Sequence, residues 1–479
     1  MIRSKALFSL PALFVAIFLA ACSGLPKGTV CTVNCGGGTG TVIVTVTSTP
    51  SQTFFFPYLG WAISSVQLIN SSGSATIVQG ALPPVDFARL QTDSQFLGKA
   101  LSAVPAGTYT SAKIQLKPST AASYFYNSSS ATLFACAPGA VCQIPNTVPG
   151  FGAATVTVPV SFTVAGNSST GFSLNFDLSK AVTSAGGMTF DFTKTGAITL
   201  STLPRQGQSS GSLDSLENFT GTVTATTSTS ISMSSLSSDT RTFTMAATVV
   251  FDDPFSICTA PASFSCLAVN QNISVDAFIN SDGTLTAYEV DFLDPKTFAQ
   301  EAEGIIVTPV SNNQFKMVVT NGMGTLSFLP GTLATVNLNN AATFFVDPKN
   351  LGVSTTPLGF LSSSDLVMGQ TVMLQGGTVD FTTNTLSNYT RTLLRYSSIG
   401  GTVQTPSGTV FTLSGVSPFF TNLVTNSVQV QTFPNTTYDN ITGGFSGLST
   451  VTNASIRGLY LNPNSGATQP LLTAQVRAH

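Results

Sequence analysis

The chain has 479 residues, of which only 8% are charged, and its formal net charge is −2 at pH 7. This near-neutral balance, without any cluster of basic residues, lacks the electrostatic footprint of a nucleic-acid-binding protein. Ser, Thr, Asn and Gln supply the polarity beside abundant Phe and Val, whereas Glu, Lys and Arg are scarce, so the composition excludes a protein of long amphipathic helices and favours strands.

The N-terminus predicts an export signal over residues 1–21. Arg3 and Lys5 precede an apolar stretch, Ala6–Ala20, and small residues stand immediately before Cys22. The apolar stretch is too short and wrongly flanked for a stable transmembrane helix. Removal of this segment would leave a chain with 16 basic and 20 acidic residues.

The motif Leu19-Ala20-Ala21-Cys22 resembles the bacterial lipobox. The resemblance implies that the Cys22 thiol carries diacylglycerol, that the leader is cut before it, and that the new N-terminus is usually acylated. Such acyl chains give stable membrane anchoring. Ser23 follows the anchor, and by the proteobacterial sorting pattern it permits delivery to the outer membrane. The alternative is an ordinary cleaved signal in which Cys22 has no role.

Behind the lipidated Cys22, residues 22–51 predict a flexible tether. Gly36-Gly37-Gly38 opens its Gly- and Thr-rich part, and Thr49-Pro50 closes it. The alternation of Val and Thr allows one short strand, at Val42–Val46.

The six cysteines that follow Cys22 form three pairs of close neighbours: Cys31 and Cys35, Cys136 and Cys142, Cys258 and Cys266. An exported chain meets oxidising conditions, so disulfides between neighbours are the simplest expectation. The alternative, a thiolate metal site, needs distant pairs brought together without help from histidine. We therefore expect disulfides and no metal ligand.

Residues 52–203 predict a β-sandwich. Alternating segments separated by turn residues mark its strands at Gly60–Leu68, Thr108–Leu116, Ala154–Val164, Gly171–Phe176 and Thr195–Leu200. The stretch Phe87–Leu101 has room for one short helical segment. Phe54-Phe55-Phe56 cannot all face one side of a strand, so it indicates either a strand buried on both faces, which we favour, or an exposed docking patch.

Four motifs in this range resemble those of a bacterial domain found in lipoproteins, domain of unknown function 4382. They are Val85-Asp86-Phe87-Ala88-Arg89-Leu90, Phe96-Leu97-Gly98, Val104-Pro105-Ala106-Gly107-Thr108-Tyr109 and Leu174-Asn175-Phe176-Asp177. The match covers most of residues 52–203, and no function of that family carries over. Considered without the resemblance, Pro105–Tyr109 predicts a tight turn followed by a strand in which the side chain of Tyr109 packs inward.

A repeat follows the sandwich. Residues 204–217, rich in Gly, Ser and Gln, predict a linker. The segment Ala246–Asp252 then recurs as Ala341–Asp347 and, with weaker similarity, as Asn435–Asp439. The copies define three units, residues 218–299, 300–398 and 399–479.

The repeated unit resembles a second uncharacterised bacterial repeat, domain of unknown function 5666. The resemblance implies a small barrel of five or six strands similar to an OB-fold. A unit of this length can bury its own core, unlike a solenoid repeat. The expected architecture is therefore all-β: an N-terminal β-sandwich followed by about three OB-like barrels, as beads on a lipid-anchored tether.

Side chains suited to catalysis are few. His479 is the only histidine and stands last, a position that is usually mobile, so histidine-based catalysis and zinc binding are not expected. Carboxylates gather at three places: Asp252 with Asp253, Glu289 with Asp291 and Asp294, and Glu301 with Glu303. A glycosidase needs two such groups in a cleft. We expect solvated strand faces and turn caps instead, because charged residues are rarely buried.

Asn280-Ser281-Asp282-Gly283 predicts a hairpin turn rather than a calcium loop, which would need further oxygen ligands at regular spacing. The excess of Phe over Trp and Tyr predicts core packing rather than sugar-binding platforms.

These features predict a non-enzymatic lipoprotein of the cell envelope that displays β-domains for binding, adhesion or envelope structure. We expect no catalytic, cofactor-binding or metal-binding residues. Its expected partners are the membrane, through the N-terminal lipid, and a glycan or an envelope protein, but no nucleic acid. The alternatives are a carbohydrate-binding or carbohydrate-processing accessory protein, and a subunit that assists an outer-membrane secretion machine through strand addition.

Overall fold

A computed structural model describes residues 38–479 except 81, 100–102, 185–186, 206–210, 237–238, 260, 294–299, 325, 327, 349–350, 353–357, 422, 424–425 and 466–469. Almost all regular structure in these residues is β-strand, which confirms the all-β class. Within the same residues, no helix has the length and apolar character to cross a membrane. The expected signal peptide, the lipidation site Cys22 and the pair Cys31 and Cys35 lie outside the described residues.

The first fifteen strands build a β-sandwich. They are β1 (Thr39–Thr49), β2 (Phe55–Tyr58), β3 (Gly60–Asn70), β4 (Gly73–Gln79), β5 (Val85–Asp86), β6 (Gln95–Lys99), β7 (Val104–Pro105), β8 (Gly107–Pro118), β9 (Tyr124–Tyr126), β10 (Val141–Gln143), β11 (Ala154–Val164), β12 (Ser169–Asp177), β13 (Val182–Thr183), β14 (Thr189–Phe190) and β15 (Ile198–Thr202). One main sheet has the order β15-β12-β1-β6 and the other β11-β8-β3-β4. The five strands expected from sequence alternation correspond to β3, β8, β11, β12 and β15.

Strand β1 is a central strand, although its residues were expected to belong to the tether. It pairs in parallel with β12 and antiparallel with β6. Val42, Val44 and Val46 are fully buried because its alternation of Val and Thr turns the Val side chains into the sandwich core. The sandwich therefore begins at residue 39 rather than at residue 52.

The aromatic residues of the sandwich lie mainly inside it. Trp61 is fully buried, and the rings of Phe151 and Phe192 meet it edge-on with centroid distances of 5.5 and 5.1 Å. Phe54 and Phe56 are 7% and 1% exposed.

Phe55 lies on the opposite side of its strand from this core. It stacks on Phe419 of the last barrel, with ring centroids 4.4 Å apart. The Phe54–Phe56 segment, of which Phe55 and Phe56 belong to β2, is therefore covered on both sides, as favoured from the sequence.

The remaining strands form barrels. They are β16 (Ser212–Thr226), β17 (Ser230–Ser234), β18 (Thr240–Asp252), β19 (Asn272–Asn280), β20 (Leu285–Phe292), β21 (Gln300–Ile306), β22 (Gln314–Gly324), β23 (Leu333–Val346), β24 (Thr371–Gln375), β25 (Thr378–Asp380), β26 (Thr385–Ser407), β27 (Val410–Ser414), β28 (Ser427–Asp439), β29 (Asn453–Tyr460) and β30 (Leu471–Ala478). Short helical segments are α1 (Leu178–Ala181) and single 3₁₀ segments at Arg89–Gln91, Phe264–Cys266, Ser363–Asp365, Gly444–Thr450 and Pro463–Ser465.

Three five-stranded barrels share one topology. The first closes in the order β16-β17-β18-β20-β19. The second is β21-β22-β23-β26-β24, and the third is β26-β27-β28-β30-β29. Counted along the chain, the third and fifth strands of each barrel pair in parallel: β18 with β20, β23 with β26, and β28 with β30. The remaining pairs in each barrel are antiparallel. This recurring order agrees with the OB-like barrels expected from the repeat.

Two boundaries differ from those expected. Strand β16 begins at Ser212, inside the segment assigned to a linker, and Ser212–Glu217 is largely buried. Strand β26 runs through residues 398 and 399 without a break, and it closes the second barrel before it opens the third. One continuous strand thus belongs to two barrels.

Two of the expected disulfides are present. Cys136 and Cys142 are joined across 5.8 Å between Cα atoms, and so are Cys258 and Cys266. Each closes a short local loop, as the close spacing in the sequence indicated.

Candidate functional site

Most acidic residues of this chain are buried, which contradicts the expectation of solvated strand faces. The buried ones are Asp93, Asp177, Asp214, Glu217, Asp239, Asp276, Glu289, Asp291, Glu301, Glu303, Asp347 and Asp439. Of the residues expected at exposed positions, Glu289 is 6% exposed, Glu303 is 5%, and Asp291 and Glu301 are fully buried. Burial of a charge is costly unless the charge is paired. The partners of these carboxylates therefore define the sites of the molecule.

Three smaller expectations have simple outcomes. Asp253 caps a turn, because its carboxylate accepts hydrogen bonds from the backbone N–H groups of Ile257 and Cys258 at 2.8 and 2.6 Å. Asp282 lies in the expected hairpin turn, where its carboxylate accepts a bond from Thr284 N at 2.9 Å. Asp294 lies outside the described residues.

The three barrels place charged residues at one repeated position, the end of the parallel pair. In the third barrel, Asp439 of β28 pairs with Arg477 of β30. In the second, Asp347 and Arg395 follow the paired residues Val346 and Leu394. In the first barrel, Asp252 stands opposite Asp291. Two barrels therefore carry their own Asp–Arg pair, whereas the first carries two carboxylates.

Arg395 of the second barrel pairs with carboxylates of its own barrel and of the first barrel. Its guanidinium contacts Asp347, lies 3.1 Å from Glu303 through Nε, and lies 3.5 Å from Asp291 through Nη1. Nη2 donates to Asn218 Oδ1 of the first barrel at 3.2 Å. Burial acts to lower the pKa of Arg395, but these carboxylates raise it above its usual value. The guanidinium therefore stays charged and joins the first two barrels.

The same place has the composition of a cation site. Asp252, Asp291 and Asp347 each offer one oxygen, and these oxygens lie within 4.8 Å of one another. Carboxylate oxygens are the ligands that Ca²⁺ prefers. Arg395 contacts Asp291 and Asp347, however, and already supplies positive charge there. We therefore attribute this cluster to the packing of the first two barrels.

Arg477 of the third barrel reaches into the sandwich. Its Nε and Nη2 donate to Asp439 Oδ2 at 3.1 and 2.8 Å. Its Nη1 donates to the carbonyl oxygens of Asp93 and Leu90 at 2.6 and 3.3 Å. The short segment after the 3₁₀ turn Arg89–Gln91 is therefore a docking point for the last barrel. This turn is the helical segment expected within Phe87–Leu101.

The first barrel docks on the same segment. Asp93 accepts a hydrogen bond from Glu217 N at 3.0 Å and pairs with Arg89 at 2.8 Å. The side chain of Glu217 in turn contacts Arg457 of the third barrel. Each barrel thus shares buried polar contacts with the sandwich or with another barrel. The units are packed together, which differs from the separate beads expected from the sequence.

A cavity of about 400 Å³, open to solvent on one side, lies between the sandwich and the third barrel. One wall is the outer face of sheet β15-β12-β1, which presents Thr47, Thr49, Ser173, Asn175 and Ser201. Arg205, Asn440, Arg477 and the C-terminal residues form the remaining lining. Hydroxyl, amide and guanidinium groups can bind polar ligands through hydrogen bonds.

His479 also lines this cavity and a second one, of about 210 Å³, beside the Pro50–Phe56 segment. Its Nε2 lies 2.8 Å from Ser455 Oγ, and its backbone N donates to Asn453 O at 3.1 Å. This fixed position differs from the mobile end that we expected. Ser455 is fully buried on β29, so this hydroxyl is not accessible for attack on a substrate.

Sequence reasoning missed Arg395, Arg477 and Arg205. A signal was available for the first two, because alignment of the repeats places them at one position, opposite Asp347 and Asp439. Comparison with protein-family models and with curated proteins gives no match to this chain. The two family resemblances of the sequence therefore stay predictions.

Proposed function

We propose that the chain is a lipid-anchored, non-enzymatic protein of the bacterial cell envelope, which holds a rigid β-body at the outer membrane for binding, adhesion or envelope structure. The observation that carries the proposal is the burial of its few charged side chains in contacts between the units. Arg395, Arg457 and Arg477 are all buried between or against neighbouring units, and each contacts a carboxylate.

This arrangement suits display better than catalysis. A catalytic acid or base must reach a substrate and exchange protons with it. The carboxylates around Arg395 are instead held in a buried ion-pair cluster. Buried ion pairs fix the orientation of their elements, since separation would leave uncompensated charge.

The anchoring part of the proposal rests on the motif at Leu19–Cys22. We expect radiolabelled palmitate to enter the wild-type chain and a Cys31→Ser control, but not Cys22→Ser. We also expect only Cys22→Ser to leave the membrane fraction. Equal labelling of Cys22→Ser, or its retention in that fraction, would overturn the anchoring.

The non-enzymatic part is tested with a broad panel of hydrolase substrates on the purified mature chain. We expect no turnover above the rate of a heat-denatured sample. Turnover that a single substitution such as Asp291→Asn abolishes, in a variant that stays folded, would overturn this part.

A second candidate is a carbohydrate-binding accessory protein of the cell surface. The cavity beside Ser173 and Arg205 favours it, because its walls carry hydroxyl, amide and guanidinium groups. A glycan array is the direct test, and an array without signal would remove this candidate.

A further inference from the structure

The outer face of sheet β15-β12-β1 is hydrophilic, yet part of it is not exposed. Thr47 and Ser173 point away from the sandwich core, because Val46 and Leu174 beside them point into it. Thr47 is nevertheless only 5% exposed and Ser173 only 2%. The neighbouring units cover this face and leave the 400 Å³ cavity between them.

A hydrogen-bonded ladder organises this wall. Thr47 Oγ1 donates to Asn175 Oδ1 at 3.2 Å, and Asn175 Nδ2 donates to Thr49 Oγ1 at 3.1 Å. These bonds fix the direction of the amide and of both hydroxyls before any ligand arrives. A wall of oriented donors and acceptors selects ligands by the positions of their hydroxyl groups.

The charge of the cavity is balanced. Arg205 and Arg477 have side-chain exposures of 7% and 3% and contact Asp214 and Asp439 respectively. Ser94 Oγ lies within hydrogen-bond distance of both guanidinium groups. Because each arginine already has a carboxylate partner, no excess positive charge remains to require an anion. The cavity therefore fits a polar but uncharged ligand.

Two residues that line the cavity each hold a buried polar atom without a hydrogen bond within the described part of the chain. The atoms are Ser173 Oγ and Arg205 Nε. Buried polar groups are nearly always satisfied, because leaving them unpaired costs folding free energy. Both atoms are closed to solvent in the free protein, and rotation of either side chain would turn its unpaired atom toward a ligand in the cavity.

We propose that this cavity binds an uncharged, polyhydroxylated ligand of one or two sugar rings. Its volume is within the usual range of small-molecule sites. Hydroxyl groups of such a ligand accept hydrogen bonds from Arg205. They donate hydrogen bonds to, or accept them from, Ser173, Ser201 and the Asn175 ladder. The inference deepens the carbohydrate-binding candidate above and rests on it.

The test uses the purified mature chain and isothermal titration against neutral sugars: glucose, galactose, N-acetylglucosamine and their β-linked dimers. Glucuronate and galacturonate form the charged arm. The blocking variant is Ser201→Trp, because Ser201 is an exposed residue at the rim that an indole can extend over. The matched control is Ser161→Trp, at an exposed position of β11 that does not line this cavity.

We expect the wild-type chain and Ser161→Trp to bind at least one neutral sugar with equal affinity, and Ser201→Trp to bind it at least tenfold more weakly. Ser173→Ala gives a second readout that does not depend on a bulky side chain. It should keep or raise the thermal midpoint of the free protein, since no hydrogen bond is lost, while it weakens sugar binding severalfold.

Absence of binding by the wild-type chain, binding that Ser201→Trp and Ser173→Ala leave unchanged, or preference for the uronates would each overturn the assignment. None of these results affects palmitate labelling at Cys22. Failure of this inference is therefore distinguishable from failure of the anchored-display proposal.

Discussion

Replacement of Arg395 by methionine tests whether the units behave as one body. The variant removes the guanidinium that contacts Asp347, Glu303 and Asp291 and leaves these carboxylates buried together. Breaking a buried ion pair on one side costs about 3–5 kcal/mol. With a urea m-value of about 3 kcal/mol/M, the unfolding midpoint falls by about 1–1.7 M.

The single tryptophan makes this measurement specific. Trp61 is buried in the sandwich core, whereas Arg395 lies between the first two barrels. If the units unfold together, the fluorescence transition of Trp61 shifts when Arg395 is replaced. Urea is the suitable denaturant because, unlike a guanidinium salt, it does not screen charges.

The matched control is Lys180→Met. Lys180 is 54% exposed in its side chain and pairs with Asp177 of the sandwich at 3.2 Å. An exposed ion pair contributes about 1 kcal/mol or less, so the midpoint should barely move. A Trp61 transition that is unchanged in Arg395→Met would refute the reasoning, because the sandwich would then unfold independently of the barrels.

Three further predictions concern stability. Gly150→Ala should lower the free energy of unfolding in urea by more than about 1 kcal/mol, since φ is +74° and a Cβ would stand 1.6 Å from Phe190 O. The control Gly152→Ala should leave this free energy unchanged, because no atom lies within 4 Å of its added Cβ. The double variant Arg477→Met/Asp439→Leu should lose less stability in calorimetry than the two single variants lose together, because each single variant leaves one charge buried without its partner. Additive losses would contradict a stabilising ion pair between these residues. Joint replacement of Cys136 and Cys142 by serine should lower stability by only about 2 kcal/mol, because the closed loop is short, and the same midpoint in wild type with and without reductant would contradict this disulfide contribution.

The sandwich strands were accessible from the sequence because alternation has a direct physical meaning. Ala154–Val164 alternates along its whole length and forms β11 with the same bounds. The repeat around Asp252 and Asp347 likewise indicated recurring units of one topology, which the structure shows as three barrels. In these places local pattern and tertiary structure agree.

The buried charges were not accessible in this way. Glu289-Val290-Asp291 alternates charged and apolar residues, and this pattern is the same whether the charged face meets water or a second unit. The contact partner of Asp291, Arg395, belongs to another barrel, and no local pattern around Asp291 reveals it. The Val/Thr alternation indicated a short strand at Val42–Val46, which lies within β1 (Thr39–Thr49). The central position of β1 in the sandwich was not accessible, since a Val/Thr segment after glycines has no local feature that distinguishes a tether from a central strand.

The central claim is that the sandwich and three barrels form one packed body. Small-angle X-ray scattering on the mature chain with Cys22→Ser tests it most directly, because this variant is soluble in the proposed account. A packed body of the described length predicts a radius of gyration of about 22 Å. A value above roughly 30 Å, expected for separated units on flexible connections, would contradict the claim.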